Sequence, residues 1–215
     1  MKKKSLACLL CSLLVVGMLV LAGCGGGNSD ADAISKDLAT QLDSFKSSSS
    51  QQLADALKAN DSSLSTLGID ADELSKSLLD GFTYSVGTVT VSSDSKSATA
   101  EVSLTSKTAT SVLAASIENV PTVVGDMSLN DLSSEGAVNK LVGKLLTQAA
   151  KSASTETVKL TVTYSKTSDG WKLDDLATQV YKALGLDQIN LDAIYKQLGV
   201  KDAAELETYL KQYLK

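Results

Sequence analysis

The sequence predicts an α+β domain. It has a curved antiparallel sheet of about four strands, arranged as two hairpins and packed against helices, with extra helices at the C-terminus. Three observations predict it. Two stretches, Phe82 to Leu104 and Val158 to Leu173, alternate apolar and polar residues and double back at polar turns, the pattern of strands with one buried face. The segments around and between them repeat apolar residues at helical spacing. Strands that pair with their sequence neighbours favour an antiparallel sheet over a parallel one.

The elements follow in chain order. Ile34, Leu38, Leu42 and Phe45 predict a helix, the run Ser47 to Ser50 breaks it, and Leu53, Ala54 and Leu57 resume it. Asp61 and Gly68 bracket a turn containing Leu64 and Leu67. Asp70 and Glu73 form a capping box ahead of Leu74, Leu78 and Leu79. Phe82, Tyr84 and Val86 alternate with polar residues, and the phase then slips, so that Val89 and Val91 resume it one residue late. A β-bulge at Gly87 accounts for the slip. After a turn over Ser92 to Lys96, Ala98, Ala100, Val102 and Leu104 point inward. A short helix over Thr110 to Asn119 turns Val112, Leu113 and Ile117 inward and ends at Pro121, the single proline. Residues 121–134 read as irregular. Val138, Leu141, Val142, Leu145, Leu146 and Ala149 line one face of a strong amphipathic helix. Val158, Leu160, Val162 and Tyr164 form a long strand, Asp169-Gly170 turns it, and Trp171 to Leu173 return. The chain closes with helices on Leu176 to Leu184, stopped by Gly185, on Leu191 to Leu198, stopped by Gly199, and on Leu206 to Leu214, opened by Asp202 and Glu205.

The front of the chain has a different character. Lys2, Lys3 and Lys4 precede an apolar run from Leu6 to Leu21, the layout of a secretory signal. The run is shorter than the roughly 20 residues a spanning helix needs, and Gly25 to Asp30 ends it without a basic flank. Leu21-Ala22-Gly23-Cys24 resembles the lipobox of bacterial lipoproteins. The resemblance implies a diacylglyceryl group on the Cys24 thiol and cleavage before it. Residues 1–23 are thus expected as signal peptide, 24–31 as a flexible tether, 32–185 as the domain and 186–215 as a helical extension packed on it. Cys8 and Cys11 leave with the signal, so their Cys-x-x-Cys spacing carries no redox or metal meaning. The rest of the chain has no disulfide available, and 24–215 is long enough for one core without a staple.

Composition excludes several functions. All 20 basic residues are Lys, against 25 acids, and without the first three lysines the net charge is −8. An acidic, Arg-free surface argues against nucleic acid as a partner and against a bidentate phosphate or carboxylate clamp. Histidine, the commonest general acid-base residue and metal ligand, is absent. Asp70, Asp72 and Glu73 fail as a calcium loop because position five is Leu74. They read as helix-capping acids, as do Asp174 with Asp175 and Asp30 with Asp32. Ser93-x-x-Lys96 has the spacing of a serine–lysine pair but falls in a hairpin turn. No metal, cofactor or catalytic set is expected.

The phrase Ser168-Asp169-Gly170-Trp171-Lys172-Leu173-Asp174, after helices and a long alternating strand, resembles the last strands of cystatin-like, nuclear-transport-factor-2-like domains found in bacterial lipoproteins. The resemblance covers residues 31 to 185. It implies a sheet wrapped on helices around a conical apolar pocket, which some enzymes of that fold equip with a buried carboxylate. The inward strand positions here, Phe82, Tyr84, Val86, Val102, Leu104, Val162 and Tyr164, include none. Tyr84, Tyr164 and Trp171 are the pocket candidates. Packing in the core and clamping of the sheet to a helix are their ordinary alternatives. The expected function is therefore a non-enzymatic lipoprotein on the outer face of the cell membrane, held there through lipid on Cys24. It would bind a small apolar ligand, a peptide or an envelope protein. A pocket enzyme of isomerase or hydrolase type and a structural module of an envelope complex are the alternatives.

Overall fold

A computed structural model describes residues 28–58, 64–125 and 135–212. The expected signal segment, Cys24 and the glycines after it lie outside these residues.

Helix α1 (Asn28–Lys58) buries Ile34, Leu38, Leu42, Phe45, Leu53 and Ala54 along one stripe. It runs straight through the serines expected to break it. Ser47 and Ser48 each donate to the Ser44 carbonyl at 2.8 Å, so their hydroxyls bond along the helix instead of competing with it. The buried stripe resumes on the far side and holds the segment helical. The helix also begins at Asn28, so residues 28–31 of the expected tether belong to it. Asp30, in its first turn, suits the positive end of the helix dipole.

A short helix α2 (Leu64–Leu67) leads to α3 (Ala71–Leu79). Asp70 caps α3 as expected, accepting from the Asp72 and Glu73 amides at 2.8 and 3.0 Å. Glu73, expected to close the box, is instead paired with Lys151 at 2.6 Å.

The sheet is a four-stranded antiparallel meander in the order of the chain: β1 (Thr83–Val91), β2 (Ser97–Lys107), β3 (Thr155–Thr167) and β4 (Gly170–Leu173). Val86 pairs with Val102 and Val89 with Ala100. Gly87 and Thr88 therefore oppose the single residue Glu101, which is the expected bulge. Leu104 faces Val158, and Ala98 faces Tyr164. One face buries Ala98, Ala100, Val102, Leu104, Val162 and Tyr164. The other exposes Thr99, Glu101, Thr157, Thr161 and Thr163. The second hairpin turns on Ser168-Asp169, one residue earlier than expected. Gly170, at φ 119, is already the first residue of β4 and pairs with Thr167.

Among the described residues, three helices lie between the hairpins. α4 (Ala109–Glu118) buries Ala109, Val112 and Ala115, which leaves Ile117 39 % exposed rather than inward. Pro121 does not simply end a helix. α5 (Val120–Gly125) opens one residue before it, and a proline in a first turn removes only an amide that has no helical partner. The rest of the stretch expected to be irregular, 126–134, lies outside the described residues. α6 (Glu135–Ser152) buries all six residues of its expected apolar face. At Gly143 it passes so close to α2 that a Cβ would stand 2.0 Å from the Leu67 carbonyl oxygen.

The chain ends with α7 (Leu176–Ala183), a 3-10 turn at Leu186–Gln188, α8 (Leu191–Gln197) and α9 (Ala203–Leu210). Gly185 and Gly199, at φ 69 and 71, stop α7 and α8 where expected. Asp202 caps α9 through the Glu205 amide at 2.9 Å, while the Glu205 carboxylate reaches the amide of Lys201 instead of that of Asp202. Ile194, Leu198, Leu206 and Leu210 join the same core as the sheet and α1. The expected extension is thus continuous with the domain interior. Tyr213 and Leu214 lie outside the described residues.

Candidate functional site

The tyrosines singled out in the sequence converge on α1. Tyr164, on β3, is fully buried and donates its hydroxyl proton to Asp37 Oδ2 at 2.9 Å. Tyr84, on β1, is half-buried and donates to Asp43 Oδ1 at 2.7 Å, with the Ala39 carbonyl at 2.9 Å. A third, Tyr181 on α7, reaches the Ser49 carbonyl at 3.1 Å. Its ring packs tilted against Phe45, with centroids 5.5 Å apart, and Phe45 in turn meets Phe82 at 5.3 Å.

The electrostatics follow from burial. Loss of water pushes the Tyr84 hydroxyl up to about 12, and the Asp43 charge and hydrogen bond add to the shift. Burial, then the Asp37 charge and hydrogen bond, raise Tyr164 further. Burial alone raises Tyr181. All three stay neutral donors at physiological pH and rivet α1 to the sheet and to α7.

Asp37 is the carboxylate that the strand pattern lacks. It is 6 % exposed and also accepts from Gln41 Nε2 at 2.7 Å. Its signal was present in the sequence, because Asp37 and Gln41 lie three residues after Ile34 and Leu38, on the apolar stripe of α1. A charged residue on such a stripe needs a partner, and an inward tyrosine supplies one.

Trp171 sits at the opposite edge of the sheet and is 8 % exposed. Lys166 Nζ lies 4.5 Å over its ring and also pairs with Asp30 at 3.3 Å. The indole N–H meets no acceptor among the described residues. Trp171 is therefore apart from Tyr84, on the far edge strand, but diagonal to Tyr164 across the β3–β4 ladder, where Lys166 faces Trp171 and Tyr164 faces Leu173. It closes the sheet edge against the start of α1.

Lys107 went unnoticed in the sequence, because it ends β2 on the solvent parity of the strand. It is 4 % exposed. Its ammonium donates to the Ser77 carbonyl at 2.7 Å and to the Ala150 carbonyl at 2.8 Å, in the last turns of α3 and α6. A cation there complements two negative helix ends at once. Only the tertiary structure brings those ends together.

A surface groove of about 240 Å³ opens where the start of α4 meets the start of β3 and the end of α7. Thr108, Thr110, Glu156, Lys182 and Gln188 supply its polar groups, and Val158 and Ala183 its apolar wall. Thr108 Oγ1 donates to Glu156 and accepts from the Ser111 amide at 3.1 Å. That hydroxyl is thus engaged as a helix cap. The groove offers a carboxylate, an ammonium and an amide around a short apolar wall.

Ser93 and Lys96 lie in the exposed β1–β2 turn, which is held by Ser92 and Asp94. Among the described residues, no group of three or more Asp, Glu, His or Cys could hold a metal ion, and no helix is long and apolar enough to cross a membrane. No family model, no curated protein and no solved structure matches the chain.

Proposed function

We propose that this chain is a lipid-anchored extracytoplasmic protein that recognises a peptide or an envelope protein and does no chemistry of its own. The observation that carries the reading is the order of the first 24 residues: three lysines, an apolar run too short to span, and Leu21-Ala22-Gly23-Cys24 where the run ends. Two acyl chains on Cys24 would hold the domain at the membrane, since each buried methylene contributes about 0.8 kcal/mol and one chain alone binds only marginally.

The recognition half of the proposal rests on how the interior is filled. Tyr84 and Tyr164 spend their hydroxyls on α1, and Tyr164 has no exposed surface. Those two residues support packing more than capture of a small apolar ligand. The polar groove beside Glu156 and Lys182 favours a peptide or protein surface. A long helix against one face of an antiparallel meander is also the arrangement that the cystatin-like resemblance implies.

The test is Cys24→Ser. Cells expressing the wild type should incorporate labelled palmitate into the protein and retain it in the membrane fraction. The variant should lose the label and be released. A variant that still sediments with membranes would end the lipoprotein reading. For the second half, stable turnover of any substrate, lost on substitution of Glu156 or Lys182, would replace binding with catalysis.

A further inference from the structure

We infer that the domain stands upright on the membrane: the end carrying the two hairpin turns faces the lipid headgroups and the Glu156–Lys182 groove points away from them. The inference rests on the proposed acylation of Cys24, and it follows from covalent reach and three contacts. Cys24 and Asn28 are four residues apart, a span of at most about 14 Å even for a fully extended chain at about 3.6 Å per residue. Helix α1 begins at Asn28, so its first turn is confined to that distance from the lipid.

The first turn of α1 is in turn fixed to one end of the sheet. Asp30 pairs with Lys166 near the end of β3. The Lys166 amide donates to the Lys96 carbonyl at 2.8 Å, beside the β1–β2 turn. The Lys166 ammonium covers Trp171 at the start of β4. Asp30, the 92–96 turn and the 168–169 turn therefore form one end of the molecule. The groove lies at the other. Glu156 is ten residues before Lys166 on the same strand, about 34 Å away at about 3.4 Å per residue. Sheet and groove are parts of one core, so the two ends cannot exchange places.

The lipid-facing end does not attract anionic headgroups by charge. Lys96, Lys166 and Lys172 are offset by Asp30, Asp94, Asp169 and Asp174, with Lys166 paired to Asp30 and Lys172 to Asp174. Adhesion there would need a basic excess. The short leash alone sets the orientation, and a partner reaching the groove meets it at the tip farthest from the bilayer.

The single tryptophan provides the measurement. The lipidated protein is reconstituted into vesicles of phosphatidylcholine and phosphatidylglycerol doped with dansyl-headgroup lipid, and energy transfer from Trp171 is read. The far donor is Trp171→Phe with Ile117→Trp; Ile117 is exposed and two residues from Asn119, which bonds Ser152 just ahead of β3. Transfer should be severalfold stronger from Trp171 than from the far donor, and unchanged by raised salt. Equal transfer, or stronger transfer from the far donor, overturns the orientation. If the double variant does not fold, a dye on Thr110→Cys in the otherwise native lipidated protein reports the same end. Protein that carries no lipid when isolated would defeat the acylation reading alone. Coupling a maleimide phospholipid to Cys24 of a chain expressed from residue 24, where it is the single cysteine, then restores the same leash, and the tryptophan readout decides the orientation by itself.

Discussion

Tyr164 donates to Asp37 across 2.9 Å in the core, although 127 residues separate them in the chain. The contact joins the long first helix to the third strand. It also satisfies a buried carboxylate that would otherwise keep only the Gln41 amide. Burying such a group without partners costs far more than the bond itself contributes.

Tyr164→Phe should therefore destabilise the fold by about 1–3 kcal/mol, the cost of leaving a buried acceptor short of a donor. Asp37→Asn should cost less, because an amide oxygen still accepts. Urea unfolding of the two single variants and the double variant gives the coupling energy. A coupling near zero would mean that the bond does not hold in solution.

The tyrosines set an upper pH limit. Tyr84 ionises at about 12 in the folded protein against 10.0 unfolded, and Tyr164 and Tyr181 are raised as well. Groups with raised folded values hold protons that the unfolded chain releases above pH 10. Their contribution is complete below 10 and is lost as pH rises through the folded values. Tyrosinate absorbance should show Tyr84, Tyr164 and Tyr181 resisting ionisation above pH 10 until the fold opens. Six tyrosines titrating together near 10, with the fold intact, would contradict this.

Lys107→Met keeps the length of the side chain and removes the cation that bonds the ends of α3 and α6. Both carbonyls lose a charged donor, and each such bond contributes about 1.5–3 kcal/mol. Removing the ammonium also removes the cost of burying it, so a net loss of about 2–4 kcal/mol is expected in thermal or urea unfolding. Lys140→Met, on the exposed face of α6, should change stability by less than about 0.5 kcal/mol.

Two glycines of α6 should respond in opposite directions. Gly143→Ala would drive a methyl group against the Leu67 carbonyl and should cost about 3 kcal/mol or more as α2 is pushed off. A Cβ at Gly136 meets nothing within 4 Å, so Gly136→Ala should leave stability unchanged or raise it by up to about 1 kcal/mol. Equal effects in calorimetry would show that α2 does not pack on α6 in solution.

The sequence by itself determined the fold class, both hairpins, the bulge at Gly87 and the inward faces of β2, β3 and α6. Each depends on a local period, and a period of two or 3.6 residues is visible in a short window. It also supplied the lipobox argument, which depends on contiguous residues alone. Tertiary structure decided what depends on distant neighbours. The serines of α1 stay helical because an apolar stripe on either side is buried against other elements. Pro121 sits inside a helix opening because Val120 and Val124 find a core. Lys107 is buried because two helix ends from different parts of the chain meet over it. Asp37 lay on a readable stripe, yet its partner Tyr164 becomes evident only when strand and helix are packed. Cys24 lies outside the described residues, but its covalent distance from Asn28, taken with the salt bridge from Asp30 to Lys166, is what extends the proposed anchor to a proposed orientation.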